Sequence, residues 1–272
     1  MAEWIASPRN PRVREVVALR DRQAREATGR IVIHGAREIL RAIQGGVEVE
    51  QLFVCEAHCT SAECGEAARL AVERRIPRID VSEPVHERIA YGDRGDGVVA
   101  VARRPDSSLQ RLALPPDPLL VVLEGVEKPG NLGAVVRSAD AAGADALLVA
   151  DPRTDLFNPN AIRASLGTIF HVPVAAAPPG TLIPWLRERG IRIVAARVDG
   201  ARIYTEVDLR GPLAIVLGSE ASGLSLAWSG PGIDAVRLPM LGIADSLNVS
   251  VAAGVLLYEA RRQRDAAGPH GP

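Results

Sequence analysis

Apolar residues fall in two registers along this chain, one unbroken and one spaced by threes and fours. Runs at 119–123, 146–150 and 213–217 are apolar without alternation, the pattern of strands buried on both faces of a sheet, and 191–196 reads as a further strand. Shorter strands are predicted at 172–175 and 235–238. Between them Leu132, Val135, Val136 and Ala139 recur at i, i+3, i+4 and i+7, one face of a helix starting near Asn131. Residues 160–168 and 181–189 read as helical, and a last helix starts at Asp245 or Ser246 and runs to about Arg264. Strands alternating with helices predict an α/β domain with a mostly parallel sheet.

The first half is patterned more weakly. Val13, Val16, Val17 and Leu19 give an amphipathic helix over 12–27, after Asn10-Pro11. Strands are predicted at 31–33, 51–55 and 98–102, and helices at 36–43 and 62–75, a small α/β domain. Residues 103–118 hold four prolines, two serines and mixed charge, the composition of a linker. The expected division is a domain over 1–105, a linker over 106–118, a second domain over 119–264 and a frayed tail over 265–272.

Composition narrows the class. With 272 residues, 47% hydrophobic and 24% charged, the chain suits one or two globular domains. Its formal charge of −1 means that nucleic-acid affinity would need a local patch. One patch stands out: the first 41 residues carry nine arginines against five acids. Arg12, Arg14, Arg20, Arg22 and Arg25 lie on the 12–27 helix, and guanidinium forks match phosphate oxygens; a solvated helix face is the plainer reading. Lys128 is the single lysine beside 31 arginines. The N-terminus lacks an apolar signal segment, and the apolar stretch 247–258 is too short to span a bilayer. Cys55, Cys59 and Cys64 lie with His58 within ten residues, too clustered for the usual paired zinc knuckles. Incidental reduced thiols in a cytoplasmic protein are expected.

Three loops follow strand ends of the second domain, where ligands of such sheets bind. They are Glu124-Gly-Val-Glu-Lys128-Pro-Gly-Asn131-Leu-Gly133, running on to Arg137; Leu217-Gly218-Ser-Glu220-Ala-Ser-Gly223-Leu; and Leu238-Pro-Met240-Leu-Gly-Ile-Ala-Asp-Ser246-Leu247-Asn248-Val-Ser250. None is a GxxxxGK[ST] or GxGxxG phosphate loop. Their glycines let backbone approach a flat ligand. Asn131 and Ser246 are also good helix caps, and Arg137 could simply pair with Asp140.

Taken together and in this order, the three loops resemble the three motifs of the SpoU (TrmH) family of RNA ribose 2′-O-methyltransferases, in the SPOUT superfamily. The resemblance covers 119–264. Ser7-Pro-Arg-Asn-Pro11, His34-Gly-Ala-Arg-Glu38 and Gly97-Val-Val-Ala100 are similar to the substrate-binding domain of its ribosomal-RNA members, with His34 standing where the family often has Glu. The resemblance implies a trefoil-knotted domain that uses S-adenosylmethionine and no metal. It implies catalytic roles for Arg137, Asn131, Glu220, Ser246 and Asn248, and cofactor contacts near Ala195, Leu217, Gly218, Leu238, Met240 and Leu247. Arg163 and Ser165 would meet RNA phosphate, and the nearly all-apolar last helix would form a homodimer interface. Ribosomal RNA is the expected substrate. A transfer-RNA enzyme, a resistance methyltransferase and a non-catalytic RNA-binding factor stay open.

Overall fold

The computed structural model describes residues 3–91, 96–151 and 155–266, and the chain forms two compact units. The first comprises residues 1–105 together with 157–171, and the second comprises 106–156 with 172–272. The frayed tail expected at 265–272 falls mostly outside the described residues; residues 265 and 266 still belong to the last helix.

In the first unit the chain runs β1 (Glu3–Ile5), α1 (Pro11–Ala18), α2 (Arg22–Thr28), β2 (Arg30–His34), α3 (Ala36–Gln44), β3 (Val49–Val54), α4 (Ala62–Glu73), β4 (Arg78–Val81), α5 (Glu83–Ile89) and β5 (Val98–Arg103). The sheet order is β1-β4-β3-β5-β2, with β5 antiparallel to both its neighbours and the other pairs parallel. Val13, Val16 and Leu19 pack with Phe53, Ile79, Val85 and Val99 in one core. The single helix predicted over 12–27 is two helices. Asp21 turns the chain between them, and its carboxylate accepts from the Gln23 amide at 2.7 Å as the cap of α2. A side chain that satisfies a free amide at a new helix start competes with continuing the old helix.

The thiols also differ from expectation. Cys59 and Cys64 are joined as a disulfide, and Cys55 is free and buried. Ser61 caps α4 by accepting from the Cys64 amide. That turn returns Cys64 over Cys59, with Cα atoms 5.4 Å apart, within bridging range.

The second unit begins in the proline-rich stretch, which is packed rather than free: Leu109 is buried in this unit's core, and the Ser107 carbonyl accepts from Ala176. Then come β6 (Leu119–Glu124), α6 (Pro129–Ala141) and β7 (Ala146–Ala150). The segment 157–171, including α7 (Pro159–Ala164), packs with the first unit. There Arg41 donates to the Leu166 carbonyl at 2.6 Å, and a Cβ on Gly45 would overlap the Phe170 carbonyl. The chain returns through β8 (Val174–Ala176), α8 (Pro179–Glu188), β9 (Arg192–Ala196), β10 (Arg202–Ile203), β11 (Leu213–Leu217), β12 (Ile233–Arg237) and α9 (Val249–Ala266). The order β10-β12-β9-β11-β6-β7-β8 is parallel throughout. Its unbroken apolar strands are buried on both faces, as their sequence requires. No helix among the described residues is long and apolar enough to cross a membrane.

Candidate active site

The strands β9 and β11 end level, with Leu217 paired to Ala196 on one side and to Leu123 of β6 on the other. Past these ends the three loops converge. A cleft of about 480 Å³ is lined by residues 196–199, 217–224, 238, 240, 245–247, 249 and 252. Five of the six residues expected to touch the cofactor line it: Leu217, Gly218, Leu238, Met240 and Leu247. Ala195 does not, because it is fully buried inside β9, and Ala196 takes the place at the rim.

The wall formed by residues 218–223 depends on glycine. A Cβ on Gly218 would overlap the Gly223 backbone, and Gly223 sits at φ +63°, a conformation other residues rarely adopt. The Gly223 amide donates to the Ser219 carbonyl at 2.9 Å, and the Ser219 and Ser222 hydroxyls meet at 2.8 Å. Glu124 anchors the far side of the turn: its carboxylate accepts from the Ser225 amide at 2.6 Å and from the Ser225 hydroxyl at 2.8 Å. Sequence reasoning gave Glu124 no role. Its signal was an acid closing an otherwise apolar strand, buried in the structure, where a carboxylate must find donors.

Glu220 is the hub of the polar cluster. Its carboxylate accepts from the Asn131 amide at 3.0 Å, from Lys128 at 3.3 Å and from the Asn248 amide. The Asn248 amide also lies 3.3 Å from the Asn131 side-chain oxygen. All three loops therefore join in a single hydrogen-bonded set, the first through both Lys128 and Asn131. The capping readings of Asn131 and Ser246 do not hold. Helix α6 starts at Pro129 with Lys128 as its cap residue, which leaves the Asn131 amide for Glu220. At α9 it is Asn248 whose side-chain oxygen accepts from the Ser250 amide at 2.9 Å and from its hydroxyl at 2.6 Å. Ser246 is exposed on the cleft lining.

Arg137 lies outside that set. Six residues beyond Asn131, it stands about 9 Å further along the helix axis. It is exposed and makes no hydrogen bond or ion pair with a described residue, Asp140 included. Helix α9 fixes α6 from outside: Arg261 donates to the Ala142 and Gly143 carbonyls at the α6 C-terminus. The last helix is less enclosed than its composition suggested. Ala252, Ala253, Leu256, Leu257 and Ala260 are buried, whereas Leu247, Val251 and Tyr258 are 38%, 50% and 55% exposed, and Leu241 and Ile243 before them are fully exposed.

Two residues expected to meet RNA are sealed in the first unit. Arg25 is 1% exposed, with its guanidinium donating to the Leu19 carbonyl at 2.7 Å. Ser165 is fully buried; its hydroxyl donates to the Ile162 carbonyl and accepts from the Gly167 amide. Both are buried, with these polar atoms bonded to local backbone rather than presented at the surface. Arg12 and Arg22 are exposed but paired with Glu3 and Glu26 at 2.6 and 2.7 Å. Arg14 is exposed. Arg20 and Arg163 are half-buried beside Tyr91.

Residues 118–258 match the SpoU rRNA methylase family, and residues 10–100 match the MRM3-like substrate binding domain. The chain is 33% identical over 266 residues to the 23S rRNA (uridine(2479)-2′-O)-methyltransferase of Streptomyces viridochromogenes, covering 94% of this chain and 91% of that protein. Among solved structures, an RNA 2′-O ribose methyltransferase superposes with a TM-score of 0.84 at 42% identity, over 96% of this chain and 98% of its own. An AdoMet-bound rRNA methyltransferase from Sinorhizobium meliloti superposes with a TM-score of 0.87 at 30% identity, over the same shares. The glycine-walled cleft, the three-loop cluster on Glu220 and these matches agree: the chain belongs to the SpoU rRNA methylase family and carries an MRM3-like substrate-binding domain ahead of the methylase.

Proposed function

We propose that this protein transfers the methyl group of S-adenosylmethionine to a ribose 2′-hydroxyl of 23S ribosomal RNA, in the cytoplasm. The observation that carries the reading is the meeting of Asn131, Glu220 and Asn248 at the edge of a cleft whose glycine wall leaves room for a nucleoside. The Gly218–Gly223 turn fits the cofactor on the chain's own evidence, since a side chain on Gly218 would collide with the backbone across the turn. S-adenosylmethionine supplies the electrophilic methyl when bound. The protein's part is to hold the ribose oxygen in line with it.

In this reading Glu220 and Asn248 fix the orientation of Asn131, and the exposed Ser246 and Asn131 face the ribose. Arg137, permanently cationic, is unsuited to act as a plain base. It holds the target phosphate and stabilises charge as it develops on the 2′-oxygen. The trefoil knot implied by the resemblance belongs to the same proposal. So does a homodimer: Leu241, Ile243, Leu247, Val251 and Tyr258, on the last helix and the segment before it, are exposed apolar side chains of the kind that a second copy covers.

The test is methylation of 23S ribosomal RNA by the purified chain with labelled S-adenosylmethionine, followed by mapping of the 2′-O-methyl site. Incorporation at one ribose is expected. A folded protein that binds the cofactor and labels no ribose, or labels a base, would overturn the reading.

A further inference from the structure

The first two loops of the cleft are joined at two levels. At the rim, Lys128 and Asn131 reach the Glu220 carboxylate in contacts open to solvent. At the base, Glu124 closes β6 and is only 7% exposed. Both its oxygens are taken by one residue 101 positions away: the Ser225 amide donates to one at 2.6 Å and the Ser225 hydroxyl to the other at 2.8 Å. Gly125 follows at φ +65°, and a Cβ there would stand 3.6 Å from that of Ser219. The end of β6 thus lies against both ends of the segment 219–225.

That segment is the glycine wall of the cleft. It leaves β11 at Leu217, turns so that Gly223 comes back against Gly218, and passes through Leu224 to Ser225. Its entry is fixed by the pairing of β11 with β6 and β9. Its exit is fixed by side chains. Three residues beyond Ser225, Trp228 is fully buried in the core, on a short 3-10 helix over Leu226–Ser229. An apolar anchor sets depth but not rotation. Hydrogen bonds are directional, and the two from Ser225 set the angle at which residues 223 and 224 meet the cleft. Bonds to a carboxylate are among the strong ones, and at a buried carboxylate water competes with them poorly. Glu124 itself does not line the cleft, so what it does for a ligand it does through this wall.

We propose that Glu124 is a positioning residue for the cofactor: holding Ser225 from beneath, it sets the Gly218–Gly223 wall and with it the affinity for S-adenosylmethionine. The proposal rests on the methyltransferase reading above, and it gives the two levels different tasks. The rim contacts on Glu220 orient Asn131 and Asn248 for the transfer step, and Glu220 keeps both partners when the base is cut. The base contact holds in advance the wall against which the cofactor lies, which removes an ordering cost from binding. Loss at the base therefore shows in binding, and loss at the rim in rate. The chemistry of the pair also fixes which replacements serve. Glutamine keeps both contacts, its oxygen accepting from the Ser225 amide and its nitrogen donating to the Ser225 hydroxyl, which can accept as well as donate. Alanine keeps neither and leaves two donors without an acceptor.

The experiment uses the full chain, with calorimetric titration by S-adenosylmethionine beside single-turnover methylation of 23S ribosomal RNA at saturating cofactor. Glu124→Ala should raise the cofactor dissociation constant about tenfold or more. Ser225→Ala, which loses one donor at an exposed position, should raise it about threefold. Saturated rates should stay within about threefold of wild type in both. Glu124→Gln should recover most of the affinity. The double alanine variant should bind no more weakly than Glu124→Ala alone, because both changes remove the same contact. Thermal melting runs beside each variant. Should Glu124→Ala not fold, Ser225→Ala carries the test, with Ser225→Thr, which keeps the hydroxyl, as its rescue. Wild-type affinity in the folded alanine variants overturns the assignment. So does an unaltered dissociation constant with fewer binding sites per chain, the mark of a merely structural residue, or a loss confined to the saturated rate. Failure of Glu124→Gln to bind better than Glu124→Ala overturns it as well. If the wild-type chain binds no S-adenosylmethionine, the methyltransferase reading fails and the assignment with it. If affinities shift as stated while no ribose is methylated, that reading fails and the role of Glu124 in cofactor binding stands.

Discussion

The Asn131 side-chain amide donates to Glu220 at 3.0 Å, across 89 positions of chain. Asn248 meets the same carboxylate oxygen from the start of the last helix. Glu220 therefore holds two amides in fixed orientations, and its removal frees both. Glu220→Ala should cut single-turnover methylation on the order of a hundredfold. Lys128 also touches Glu220, but its side chain is 75% exposed, and such pairs contribute little. Lys128→Gln should lose less than about tenfold. Equal losses in the two variants would make the ion pair, not the amide pair, the important contact.

Arg137→Ala should abolish methyl transfer, by about a hundred- to a thousandfold, while leaving S-adenosylmethionine affinity nearly intact. The side chain is exposed, while Leu132, Val135, Val136 and Ala139 form the buried face of α6, so truncation opens no core cavity. Arg137→Lys should fail as well, because an ammonium lacks the planar fork. Single-turnover rates beside a calorimetric cofactor titration decide it. Parallel losses in rate and cofactor binding would make Arg137 a pocket residue instead.

Gly218→Ala should weaken cofactor binding by more than about tenfold, because its Cβ falls on the Gly223 backbone and the turn must open. Gly130→Ala, in the first turn of α6, has open space around the added carbon and is the control. Calorimetry on both variants is sufficient. Wild-type affinity in Gly218→Ala would remove this turn from the cofactor site.

If the proposed homodimer forms, the wild type should give about twice the chain mass by light scattering, and Val251→Asp with Tyr258→Glu should give a monomer. Both side chains are already half-exposed in the single chain, so unfolding is not the expected outcome. A wild-type monomer would refute the interface.

Stability should fall on acidification partly through His34. Its folded form titrates near 3, against an ordinary value of 6.5. Between those values the unfolded chain takes up a proton that the folded chain refuses. The stabilising contribution is thus complete above about 6.5 and declines as the pH drops toward 3. His34→Gln should flatten the decline in urea midpoint between about pH 7 and pH 5. An identical decline in the variant would assign the acid sensitivity elsewhere, with the also-depressed His86 next in line.

The sequence by itself determined the mostly parallel sheet, where its main strands fall along the chain, and the three loops. An unbroken apolar run such as 213–217 has no solvent face to offer, so it must lie inside a covered sheet. The glycines at 218 and 223 likewise specify their turn wherever it occurs, because the limitation is local to the backbone. Tertiary structure decided which arginines are available. Arg22 and Arg25 stand three residues apart with the same chemistry, yet one is exposed beside Glu26 and the other is packed against the Leu19 carbonyl. Both lie on α2, whose separate start at Asp21 the apolar spacing alone did not reveal, and its packing buries one and leaves the other exposed. Tyr91 carried no sequence signal, because its partners Arg20, His34 and Arg163 are brought together only when β2, α5 and the 157–171 segment pack in one unit. Periodicity reports what each residue does to its near neighbours in the chain; the cost of an unpaired charge depends on neighbours in space.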